Sequence, residues 1–197
     1  MEDFYKTIAV PAEGLYKEKG SKFISFAYPV QTEEQIKGIV AELKDKFYDA
    51  RHHCYAWMLG AGKKNFRAND DGEPSSTAGR PILGQIQSND LTNILIVVVR
   101  YFGGTKLGVS GLIHAYREAA ADALNHAEII EKTVDEQFRI CFSYLVLNDV
   151  MKIIKEENPD VLERNFELQC EMLLSIRQKD LAHLKERLEQ VDSLVFL

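Results

Sequence analysis

Six consecutive apolar residues, Ile94-Leu95-Ile96-Val97-Val98-Val99, mostly β-branched and without polar alternation, constrain this chain more than any other stretch. Such a run fits a strand covered on both faces, so layers of structure must pack against each side of it. Arg100-Tyr101-Phe102-Gly103-Gly104-Thr105-Lys106-Leu107-Gly108 follows, with paired glycines where the backbone must turn sharply or let something approach. Leu112, Tyr116, Ala119, Ala120, Ala123, Leu124 and Ala127 then keep helical spacing. The glycine loop therefore empties into a helix N-terminus, where free amides and the dipole suit an anion. Arg100, Gly103, Gly104 and Lys106 are the candidate anion contacts, with Arg80 as a further basic candidate. The spacing of a P-loop is absent, and a tight strand-to-helix turn with a solvated Lys106 is the simpler alternative.

Around that strand the chain alternates between strand and helix patterns. Thr7–Val10 and Lys22–Val30 read as strands that could pair, separated by a turn-rich segment, Pro11–Gly20. Thr32 with Glu33, Glu34 and Gln35 has the form of a capping box, and Ile36, Ile39, Val40, Leu43 and Phe47 share one helical face. His53–Leu59 reads as a strand that opens, after Gly60-Ala61-Gly62, into a loop carrying Lys63, Lys64, Phe66 and Arg67. A short helix with Ile82, Leu83 and Ile86 buried is expected, capped by Ser76 or Thr77. After Ile130 the pattern restarts as β-α-β-β-α-β, the ferredoxin-like split βαβ order. The expectation is an α+β protein of two domains, 1–130 and 131–197.

Composition bounds the function. The formal charge is −6, with 9 Lys and Arg against 14 Asp and Glu in residues 131–197, so any contact with a polyanion has to be local to the N-terminal part. Three scattered cysteines without framework spacing suit a reducing compartment. The longest apolar run is far too short to span a bilayer, and a cytoplasmic location is the expectation.

Other clusters carry competing readings. Asp70, Asp71 and Glu73 are the right type to hold Mg²⁺ or exchange protons, but equally form an ordinary turn paired with Arg80, Arg100 or Lys106. His52 and His53 are adjacent on a strand, point to opposite faces, and so do not share a metal ion. Cys54 within that strand reads as inert core. Lys63, Lys64 and Arg67 with Phe66 have the make-up of a single-stranded RNA platform, or of a solvated hairpin tip. No metal or cofactor is expected.

Asp70-Asp71-Gly72-Glu73-Pro74, Thr77-Ala78-Gly79, Arg100-Tyr101-Phe102-Gly103-Gly104 and Leu107-Gly108, behind Ala50-Arg51-His52-His53-Cys54-Tyr55-Ala56 and Gly20-Ser21-Lys22-Phe23, resemble the IMPACT/YigZ family over about residues 15–130. Residues 131–197 are similar to the smaller C-terminal domain of its bacterial members. The resemblance implies an N-terminal fold like elongation factor G domain four and a ribosomal small-subunit protein domain, followed by a ferredoxin-like domain. It implies a role near translation, since eukaryotic relatives act in translational control. Ser76, Ser110 and His114 stand where the family pattern has Gly, Gly and Arg, and His114 remains a possible donor. The leading expectation is a non-enzymatic, translation-associated binding protein contacting RNA or the ribosome through Arg100, Lys106 and the Gly103-Gly104 backbone, framed by Lys63, Lys64 and Arg67. The alternatives are a Mg²⁺-dependent enzyme acting on a phosphate-containing small molecule, and a module that binds only a protein partner.

Overall fold

A computed structural model describes residues 3–197 and divides the chain into two compact units, one formed by Tyr5–Lys132 and the other by residues 133–197 with the N-terminal Asp3 and Phe4. The larger unit is built on a five-stranded sheet in the order β2-β3-β6-β4-β5. Its strands are β2 (Ala12–Glu18), β3 (Ser21–Pro29), β4 (His52–Leu59), β5 (Asn65–Asn69) and β6 (Ile94–Tyr101). The apolar run lies at the centre as β6, antiparallel to β3 on one side and β4 on the other. Every residue from Ile94 to Val99 is fully buried. Burial of each such side chain contributes about 1.5–3 kcal/mol, so β6 is the main stabilising element of the unit.

The pleat sends alternate residues of β6 into two cores. Ile94, Ile96 and Val98 pack with α2 (Gly79–Ser88) and α3 (Gly108–Asn125), while Leu95, Val97 and Val99 pack with α1 (Glu33–Lys46). Helix α1 starts with the expected reciprocal cap, in which Thr32 Oγ1 accepts from the Gln35 amide and the Gln35 side chain accepts from the Thr32 amide. Helix α2 departs from expectation, because neither Ser76 nor Thr77 caps it. Asp70 does so from across the turn, accepting from the amides of Ser76, Ala78 and Gly79 at 2.8–3.1 Å.

Two other sequence expectations are corrected. The segment Pro11–Gly20 contains a strand, β2, which pairs with β3; β1 (Phe4–Ile8) pairs with β7 (Ile129–Thr133) instead. Strand β2 hides from hydrophobic patterning because it packs through Gly14, where a Cβ would lie 2.3 Å from the Ala123 amide nitrogen. Residues Asn65–Asn69 form the edge strand β5, so Phe66 and Arg67 lie on the sheet and not in a loop.

The smaller unit runs β8 (Asp135–Phe142), α4 (Leu147–Glu157), β9 (Asp160–Phe166), β10 (Cys170–Arg177), α5 (Gln178–Glu189) and β11 (Val195–Phe196). Its sheet has the order β11-β8-β10-β9, all antiparallel, which is a split βαβ arrangement. Ile140, Phe142, Met172, Leu174, Leu184 and Leu188 form its core. Asn158 in the left-handed region ends α4 just before Pro159.

Gly103 crosses the β2–β3 turn so closely that a Cβ there would meet the Gly20 carbonyl carbon at 1.9 Å. Gly103→Ala is expected to destabilise the larger unit by about 3 kcal/mol or more through backbone displacement. Gly104→Ala, at φ +89 with open space around it, should cost about 1–2 kcal/mol. Urea unfolding followed by Trp57, the chain's single tryptophan, reads both.

Candidate functional site

Strand β6 delivers Arg100 to the edge of the core, where the turn Asp70–Thr77 and the loop before α3 converge. Arg100 is 6% exposed, and its Nη1 lies 2.5 Å from Glu73 Oε1. The same carboxylate oxygen accepts from the Tyr116 hydroxyl at 2.8 Å. That hydroxyl also accepts from the Cys54 thiol at 3.3 Å. The guanidinium lies 5.4 Å from the Phe23 ring centroid and 5.7 Å from that of Phe102. Arg100, Glu73 and Tyr116 thus tie together β6, the acidic turn and α3. Arg100 Nε is buried without a hydrogen-bond partner.

The acidic turn divides its carboxylates among separate tasks. Asp70 caps α2. Asp71 accepts from the Lys44 ammonium at 3.0 Å and the His53 amide at 2.7 Å. Burial alone would raise the Asp71 carboxyl, but the His53 amide and Lys44 outweigh it and hold the group below the ordinary carboxylate range. Only Glu73 faces Arg100. Among the described residues there is no cluster of three or more His, Cys, Asp or Glu side chains arranged to hold a metal ion. The sequence-level idea of Asp70, Asp71 and Glu73 as one Mg²⁺ site is therefore corrected: amides and Lys44 take the first two.

The histidines point to opposite faces. His52 Nδ1 is 2.8 Å from the Asp71 carbonyl and its Nε2 3.9 Å from Glu73 Oε2, whereas His53 Nε2 contacts the Phe47 carbonyl at 3.0 Å. Burial pushes the Cys54 thiol well above its ordinary range, with the nearby carboxylates adding to the effect and the Tyr116 hydroxyl partly opposing it. Tyr116 is likewise held protonated, by burial first and then by Cys54 and Glu73. Neither is poised as a nucleophile at neutral pH.

Above this buried network is a cleft of about 370 Å³, lined by Glu73, Pro74, Arg100, Phe102, Lys106 and the first turn of α3. Helix α3 begins without a side-chain cap and without an acid in its first turn. Lys106, Gly108 and Val109 line that cleft, and the leading amides of α3 have no side-chain cap. Phe102, 48% exposed, supplies an aromatic wall.

The other sequence candidates fall elsewhere. Gly103 does not present its amide to the cleft, because the amide donates to Ser21 Oγ at 3.1 Å; this crossing is what Gly20 and Ser21 are there to meet. Lys63 is bound to the Asp90 carbonyl and carboxylate. The turn bearing Lys63 and Lys64 follows the far end of β4, where Met58 faces Ile94, while His52 faces Arg100. At about 3.3 Å per residue those lysines stand roughly 20 Å from Arg100 and cannot frame the cleft. Arg67 faces the α1 side of the sheet. Arg80 is exposed in the first turn of α2 and His114 on α3, with His114 4.0 Å from Glu118; neither lines the cleft. Tyr116 was hidden among the core residues of α3, and its one signal is a hydroxyl on an otherwise apolar helical face.

Comparison with known proteins follows the same residues. The Impact N-terminal domain model matches residues 19–124, which include β3, β6, the acidic turn and the glycine loop. The chain belongs to the IMPACT family. The IMPACT family members YvyE of Bacillus subtilis and YigZ of Escherichia coli are each 31% identical to it, over 89% and 81% of this chain and 81% and 79% of theirs. A crystal structure of a hypothetical protein superposes over 100% of this chain and 98% of its own, at 27% identity and a TM-score of 0.78. In this IMPACT-family protein the matched motifs meet at the Arg100–Glu73 pair.

Glu73→Ala is expected to cost about 3–5 kcal/mol, because it leaves the Arg100 charge buried and unpaired. A carboxyl held low in the folded state adds stability above its unfolded pKa, and that share disappears as pH falls through the folded value. Asp71→Asn should accordingly lower stability at neutral pH and flatten its loss on acidification below about pH 4, measured by urea unfolding across pH.

Proposed function

We propose that this protein is a translation-associated binding protein, and that its larger unit contacts RNA, in solution or on the ribosome, through the cleft beside Arg100. The observation that carries the reading is the uncapped first turn of α3 opening beside Lys106 into a cleft with an aromatic wall. Amides and an ammonium take a phosphate, and Phe102 offers a face on which a base can stack. The link to translation rests on the family resemblance, which implies a role in translational control. The strongly acidic segment 131–197 discourages nonspecific polyanion binding by the rest of the chain, which favours a local contact.

Arg100 acts here as the floor of the site and not as a phosphate ligand, since Glu73 already neutralises it. A second reading, an enzyme acting on a phosphate-containing small molecule, is favoured by one fact: Glu73 and Lys106 line the same cleft. It would have to proceed without the Asp70 and Asp71 carboxylates, and with Glu73 already bonded to Arg100 and Tyr116.

Sedimentation with ribosomes and titration with single-stranded RNA over a salt series test the proposal. The native protein is expected to bind with an affinity that falls as salt rises. Lys106→Ala should weaken binding uniformly across sequences and reduce the slope of log affinity against log salt by about one contact. Absence of salt-dependent binding to any RNA, with turnover of a phosphate ester, would replace this reading by the enzymatic one.

A further inference from the structure

The two edges of the larger sheet are finished differently. On β2 the Leu15 amide, which would otherwise point outward, donates to the Asp122 carboxylate at 2.8 Å, and α3 lies against Gly14. That edge is closed to another strand. Strand β5 has β4 as its one neighbour, and Asn65, Phe66, Arg67 and Ala68 are all exposed. Alternate amides and carbonyls along its outer side are therefore unpaired within the sheet.

A groove of about 240 Å³ lies between this edge and α1, with Tyr55, Trp57 and Val40 along it and Lys37, Lys44 and Arg67 at its rim. Lys44 is held by Asp71, which leaves Lys37 and Arg67 as cations without an ion-pair partner among the described residues, and Glu33 as the acid at the groove. On the opposite face of β5, Phe66 is 50% exposed beside Met58.

We infer that β5 and the groove beside α1 form a docking site for an extended acidic peptide of a partner protein, which adds as a sixth strand beside β5. Strand addition between a sheet edge and a helix satisfies the peptide backbone through the edge and selects side chains through the groove. The outer side of β5 alternates donors and acceptors at the spacing of another peptide backbone, whereas the phosphates of a nucleic acid offer acceptors alone. Residues of the peptide that alternate toward α1 would place an apolar group over Trp57 and Val40 and a carboxylate near Lys37 and Arg67. Residues on its other side would cover Phe66. Charge also argues against a second copy as the occupant, because antiparallel self-pairing of β5 centred on Arg67 sets two like charges directly opposite. This surface is on the α1 side of the sheet, apart from the cleft beside Arg100, so the inference is independent of the proposed RNA contact.

A displayed library of random ten-residue peptides, selected against the full chain, tests it. Selected peptides are expected to combine Asp or Glu with apolar residues in alternation. Once synthesised, they should shift the emission of Trp57 and slow exchange of alternate amides within Asn65–Asn69. The exposed double variant Lys37→Glu, Arg67→Glu should weaken their binding tenfold or more, and N-methylation along one edge of the peptide should abolish it. Failure to enrich any peptide, or peptides whose binding ignores both the charge reversal and the β5 amides, would overturn the inference. Octauridylate is titrated in parallel; if it, and not the peptides, moves Trp57 and the β5 amides, the groove is a nucleic-acid site and the peptide assignment is wrong.

Discussion

Arg100 and Glu73 form an ion pair whose side chains are 7% and 4% exposed, at the end of the most buried strand in the protein. Taking both charges out of water is costly, and the pair is tolerable only because each has further partners. Glu73 also holds the Tyr116 hydroxyl, and Arg100 lies over Phe23 and near Phe102. Through these contacts a single pair fixes the position of the acidic turn, the end of β6 and the buried face of α3. The cleft is what remains in front of them.

The same arrangement assigns the polar residues of the family motifs to structural and binding roles. Asp70 caps α2, Asp71 joins the turn to α1 and β4, Glu73 neutralises Arg100, and Gly20, Ser21 and Gly103 make a close backbone crossing. These residues build the site without touching a ligand. The groups left to meet one are Lys106, the first amides of α3 and the Phe102 ring. That division explains how a motif dense in carboxylates can surround the proposed anion site: its carboxylates are turned into the protein by amides, a lysine and an arginine.

Much of the fold was legible in the chain because burial leaves a pattern. The unbroken run of β6, the face of α1 with its capping box, and the restart after Ile130 all follow from one residue type recurring at a fixed period. Strand β2 was not legible, because it packs through a glycine and carries charged residues on its exposed face. Within the site, Arg100, Lys106 and Glu73 could be picked out as chemistry near glycines. What no spacing could reveal was their partners. Whether Asp70 holds a metal or a helix depends on how the turn folds back on the amides of Ser76, Ala78 and Gly79, and whether Arg100 is free or paired depends on Glu73, 27 residues away. Lys63, Lys64 and Arg67 looked like part of the same basic surface only because sequence proximity gives no account of the length of β4.

Backbone amide chemical shifts of the full chain during titration with octauridylate show which surface RNA meets. Contact at the cleft gives saturable shifts confined to Phe102, Gly104–Leu112 and the neighbouring acidic turn, weakening as salt is raised. Shifts absent there, or concentrated on Lys63–Asn69 or on residues 133–197, would contradict the assignment of the cleft beside Arg100 as the site that meets RNA.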